Sequence, residues 1–132
     1  MAKKKKLEPT QAELEILQFL WDEGPATVKE VHQHLADIRD KDIVYTTTLK
    51  TMQVMYERGF LHREAAGRKH IYNAAIEEQA TKKQLLDKFL HFTFGGSALS
   101  LVMKVLGDYK TSPKELQELK NYIESIEKKD NS

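Results

Sequence analysis

The chain contains no cysteine among its 132 residues. That one absence excludes disulfides, thiolate metal centres and thiol nucleophiles together. Long apolar runs are also missing: the longest span a few residues, against the roughly 20 that a membrane-crossing helix needs. No membrane insertion is expected. The basic start at 1–6 is followed by Leu7, Glu8 and Pro9 rather than an apolar stretch. It therefore does not read as a signal peptide, and the expected location is the cytoplasm. No G-x-x-x-x-G-K-[ST], G-x-S-x-G or H-E-x-x-H pattern occurs, so the common phosphate-loop, esterase and zinc-protease arrangements have no anchor. Neither an enzyme nor a cofactor is expected. An excess of one charge is absent too. Lys and Arg number 21 against 20 Asp and Glu, so only the local distribution of charge can argue for a polyanionic partner.

Hydrophobic residues make up 40% of the chain, enough for a core and too many for wholesale disorder. Thr10 and Glu13 fit a capping box, followed by Leu14, Leu17, Leu20 and Trp21 at helical spacing, and Gly24-Pro25 stops that helix. Thr27 and Glu30 fit a second box, with Val28, Val31 and Leu35 as the inner stripe of a short helix. Residues 37–42 read as a polar loop. A third helix starts near Tyr45 or Thr46 and runs to Arg58, with Gly59 as its stop. Two short strands follow, 60–64 and 69–74, around a glycine-containing turn at 65–68. Helix, helix, helix, strand, strand is the order of a winged helix-turn-helix domain, placed at 1–75. The rest, 76–132, reads as three helices. Leu85, Leu86, Phe89, Leu90 and Phe94 lie on one side of the first, which Gly95-Gly96 breaks. Leu99, Leu101, Val102, Val105 and Leu106 fill the second, stopped at Gly107. Leu116, Leu119, Tyr122, Ile123 and Ile126 stripe the third, which starts at a Ser112–Glu115 capping box with Pro113 at its first position and leaves 128–132 as a frayed tail.

The fold class is thus mainly α with a small β-hairpin. Three helices in about 50 residues expose much of their surface even when folded. The second half is expected to be a dimerisation module, with Leu86, Phe89, Leu90, Leu101, Val102 and Val105 buried against a second copy; folding back onto the first domain is the monomeric alternative.

In the third helix Thr48, Met52, Met55 and Tyr56 are spaced to face inward, leaving Thr46, Thr47, Leu49, Lys50, Gln53 and Val54 outside. A helix fits the major groove of DNA, about 12 Å wide. Thr46 and Thr47 can hold a phosphate at the helix start, Lys50 a phosphate or guanine edge, and Gln53 an adenine edge, while Leu49 can pack on a thymine methyl. Successive threonines are poor helix formers, a cost that a contact role explains. Arg68 and Lys69 sit at the wing tip, where they can reach the flanking backbone or minor groove. Arg63 projects to one side of its strand and ranks below them. Across 44–74 five basic residues stand against two acidic ones. The lysines at 3–6 read as a solvated tail rather than a binding arm. His32 and His34 point apart on their helix. His62 and His70 are candidate cross-strand neighbours with no carboxylate or thiol to complete a site, so no metal is expected.

These residues resemble the penicillinase repressor (BlaI/MecI/CopY) family over nearly the whole chain. The likeness lies in Leu14-Glu15-Ile16-Leu17 with Leu20-Trp21, Tyr45-Thr46-Thr47 leading to Gly59-Phe60, the Gly67-Arg68 wing, and Phe94-Gly95-Gly96-Ser97 before Leu101-Val102. The resemblance implies a homodimeric winged-helix repressor on palindromic operators. It also implies release through proteolysis by a membrane-bound zinc-protease sensor, typically in response to β-lactams. In the antibiotic-responsive members the cut falls at an Asn-Phe bond in the fifth helix; the corresponding place here is Lys104-Val105. The copper-responsive members use a C-terminal cysteine motif, which this chain lacks. Winged helices also serve as protein-binding modules. A module of that kind would show more exposed apolar surface around Thr46, Thr47, Lys50, Gln53 and Arg68.

Overall fold

The computed structural model describes residues 8–39 and 42–131. The lysines at 3–6 lie outside them, as do positions 40 and 41 of the expected loop. The elements are α1 (Gln11–Glu23), β1 (Ala26–Thr27), α2 (Val28–Ile38), α3 (Tyr45–Glu57), β2 (Leu61–Ala66), β3 (Lys69–Ala74), α4 (Glu78–Phe94), α5 (Ala98–Asp108) and α6 (Pro113–Asp130). The winged helix-turn-helix expected from the sequence is present, followed by three further helices.

Local chemistry sets the helix ends. Thr10, Thr27 and Ser112 each accept from the amide three residues on, and Glu13, Glu30 and Glu115 return the bond to the cap amide. At the end of α3 the Phe60 amide reaches the Met55 carbonyl (2.8 Å) and the Gly59 amide the Tyr56 carbonyl (3.1 Å). This Schellman closure needs a left-handed residue, and Gly59 supplies it at φ +88°. It turns the chain straight from α3 into the hairpin and drops Phe60 into the core.

The sheet has three strands in the order β1-β3-β2. In the hairpin Leu61 faces Ala74 and Ala66 faces Lys69, while Ala26 and Thr27 pair with Tyr72 and Ile71. Two residues are too few to show alternation, so β1 is silent in the sequence. The core of this part joins Ile16, Leu17 and Leu20 of α1, Val31 and Leu35 of α2, Met52 and Met55 of α3, and Phe60, Leu61 and Tyr72 of the wing. Each such side chain contributes about 1.5–3 kcal/mol on burial.

The chain forms two compact units, one through Leu85 and one from Leu86. The first turns of α4 belong with the winged helix for identifiable reasons. The Trp21 indole donates to the Ile76 carbonyl (3.1 Å), the Lys82 ammonium lies 5.8 Å from the centre of the Trp21 ring, and Thr81 is buried with its hydroxyl on the Glu77 carbonyl (2.8 Å). In the second unit none of the described residues is buried. Phe92 and Leu99 are 72% and 70% exposed. Two helix ends differ from the sequence reading. α5 continues through Gly107 to Asp108, and α6 runs to Asp130, where Lys128 and Lys129 favour its negative C-terminal end. No single helix among the described residues is long and apolar enough to cross a membrane.

Candidate nucleic-acid interface

Helix α3 is held from three sides. Thr48 is buried and its hydroxyl meets His32 Nδ1 of α2 at 3.0 Å. The His32 ring stands edge-on to Tyr45, with centroids 5.4 Å apart. At the other end Arg58 donates to Glu13 of α1 at 2.8 Å and lies over the Phe60 ring at 4.8 Å. Glu13 is only 5% exposed and also accepts the Thr10 amide (2.9 Å). Met52 and Met55 close the inner face.

This clamping leaves one stripe open. Thr46, Lys50, Gln53 and Glu57 are exposed, at the four- and three-residue spacing that stacks side chains along one face. Thr47 is exposed beside them. The cap residue Val44 offers no side-chain acceptor, so the first-turn amides of α3 carry no side-chain cap. The expected division into inner and outer faces needs three adjustments. Leu49 is half-buried against the core, so only part of its surface faces outward; Val54 is half-buried too. Tyr56, expected inside, is 38% exposed, with the Arg63 guanidinium 4.0 Å from its ring centre. Leu61 faces the core, and a period of two from it places Arg63 on the same inner side of the strand.

The wing turn consists of Gly67 and Arg68 alone, because Ala66 and Lys69 already pair. Gly67 has φ +66°, and no non-glycine residue among those described has positive φ. The turn is therefore of the kind with a left-handed first residue, type II′, whose twist suits a hairpin. Arg68 and Lys69 are exposed, and neither they nor Lys50 forms an ion pair among the described residues. The local excess of basic residues is smaller than the sequence count implies, since Arg58 is committed to Glu13. An open groove of about 670 Å³ lies between the starts of α1 and α3. Its one arginine, Arg39, is paired with Glu15, and Asp42 adds a second carboxylate. That groove does not favour a phosphate.

Four of the five histidines are accounted for singly. His32 ties α2 to α3, and His34 packs on Phe19 with centroids 4.7 Å apart. His62 faces Asn73 and His70 faces Ala65, so the expected His62–His70 neighbourhood does not exist. The register set by the two-residue turn separates them.

The model of the penicillinase repressor family matches residues 9–125. The penicillinase repressor of Staphylococcus aureus is 24% identical over 126 residues, which cover 95% of this chain and 98% of that one. The methicillin resistance regulatory protein MecI of Mammaliicoccus sciuri is 25% identical over 119 residues, covering 90% and 95%. Among solved structures, a MarR family protein from Bacillus stearothermophilus shares the fold, with a TM-score of 0.53 at 15% identity over 93% of this chain and 76% of that one.

Proposed function

The chain belongs to the penicillinase repressor family and is a DNA-binding transcriptional repressor, and from that premise we propose that it acts in the cytoplasm as a homodimer on a palindromic operator. The observation that carries the reading is the open polar stripe of α3 beside a basic wing that forms no ion pair among the described residues. Thr46, Thr47, Lys50 and Gln53 enter the major groove, with the exposed part of Leu49 available to a thymine methyl. Arg68 and Lys69 hold the flanking backbone.

The DNA-binding part, expected at 1–75, takes in the first turns of α4 as far as Leu85, and the dimerisation part, expected at 76–132, is the unit from Leu86. The second unit supports the dimer. Leu86, Phe89, Val102 and Val105 are exposed in the single chain, and Leu90 and Leu101 are half-buried. A second copy would cover them, and its two-fold symmetry sets two recognition helices about 34–36 Å apart, one turn of DNA. The family resemblance implies release by a membrane-bound sensor protease, and the same arrangement gives a single cut its effect. Lys104 and Val105 are exposed on α5, and Lys104 pairs with Asp108 at 2.9 Å. A cut at this bond would split the apolar centre of the second unit without touching α3. The experiment is a gel shift with the DNA upstream of the protein's own operon, followed by mass analysis of the repressor from induced cells. A retarded dimer complex, and a fragment ending at Lys104 on induction, are expected. Derepression with the chain at full length would remove the proteolytic step.

A further inference from the structure

The chain has four arginines, and three of them have evident roles. Arg39 and Arg58 are paired to Glu15 and Glu13 of α1, and Arg68 stands exposed at the wing tip. Arg63 is different. It is half-buried on β2 and forms no ion pair among the described residues. Its guanidinium carbon lies 4.0 Å from the centre of the Tyr56 ring. Partial burial removes water from a charge and leaves it wanting an anion. A guanidinium centred over a ring is restrained there while its N–H donors point past the ring, and its fork matches two oxygens of one phosphate. The nearest acidic residues in sequence do not claim it: Glu64 follows on the opposite face of the strand, and Glu57 is exposed on α3. The position matters as much as the chemistry. Tyr56 lies in the last turn of α3 and Arg63 in the wing strand, so the stack bridges the two elements assigned to DNA.

We propose that Arg63, held over the Tyr56 ring, grips a DNA phosphodiester between the stretch entered by α3 and the stretch reached by Arg68. The inference rests on the α3-and-wing reading of the site. Arg63 binds the phosphate, and Tyr56 is the positioning residue that restrains its guanidinium. A phosphate contact carries no sequence information, so the Arg63 contribution is the same on operator and on unrelated DNA.

The test measures the affinity of the full-length protein for operator and random DNA across a series of salt concentrations. Arg63→Ala should weaken both about tenfold, the scale of a lost charged hydrogen bond, and flatten the salt slope by about one unit. Arg63→Lys should keep the slope and lose affinity, because the charge stays and the flat fork goes. Tyr56→Leu should cost about three- to fivefold with the slope unchanged, the worth of the stack. If Arg63→Ala melts below the assay temperature, Arg63→Gln gives the same readout. Loss of affinity without any change in slope would make Arg63 a packing residue and overturn the inference. So would unchanged affinity and slope. Gln53→Ala, run alongside, separates the two readings. An operator-specific loss at Gln53 with no effect at Arg63 defeats this inference alone. No effect at either defeats the α3 reading as well.

Discussion

Thr47 and Gln53 are among the residues of α3 that the proposed function assigns to base contact. Both are exposed and polar on a helix whose other faces are fixed by His32, Met52, Met55 and Arg58. Replacing either with alanine should weaken operator binding by about 1–3 kcal/mol if it meets a base edge. Thermal stability should barely move, because neither side chain contacts the core; the Thr51 hydroxyl bonds the Thr47 carbonyl, which alanine keeps. Full operator affinity in both variants, measured by anisotropy titration, would show that this stripe is not the reader. Arg68 makes a different expectation. At the exposed tip of a two-residue turn it can reach backbone but is not anchored against a base. Arg68→Ala should weaken operator and random DNA equally and lower the salt slope by about one unit. A loss confined to the operator would place Arg68 at a base edge instead.

At the scale of elements, the Glu13–Arg58 pair ties the start of α1 to the end of α3. Glu13 is nearly buried and Arg58 half-buried, so removing the arginine leaves a carboxylate short of a partner. Arg58→Ala should cost about 1–3 kcal/mol of folding stability, read as a lower midpoint in urea. A change under about 0.5 kcal/mol would mean the tie is idle. No sequence signal pairs a glutamate in a capping box with an arginine 45 residues on; it takes the packed helices to bring them together. The same holds for Tyr56 and Arg63. A helical wheel assigns Tyr56 to the inner side, yet the ring turns to the edge and takes a guanidinium as its cover. What was legible rests on local chemistry: the capping boxes at Thr10, Thr27 and Ser112, the glycine closure at Gly59 and the turn at Gly67 each depend on residues within a few positions. β1 was not legible, because two residues gain strand character only from β3 beside them.

The whole molecule contrasts a unit with a core and a unit without one. Every buried residue among those described lies in the unit that ends at Leu85. The sequence placed the apolar residues of the second half, and the structure adds that its three helices leave them uncovered. The full-length chain should therefore be a dimer at micromolar concentration by light scattering, with an interface of about 2,000 Å² or more, as obligate dimers have. A fragment ending at Leu85 keeps the buried residues and the Trp21–Ile76 hydrogen bond. It should fold as a monomer and bind a full operator far more weakly, since joining two half-site readers raises their effective concentration to roughly millimolar. Equal affinity of fragment and full chain would exclude avidity as the role of the second unit.

The most direct single measurement is the affinity of the full-length protein for the DNA upstream of its own operon, against random DNA of the same length, at one physiological salt concentration. A repressor that reads bases through Thr46, Thr47, Lys50 and Gln53 should prefer the former by about a thousandfold or more. Equal affinity for the two would contradict sequence-specific reading by α3 and leave only a basic surface that binds any duplex.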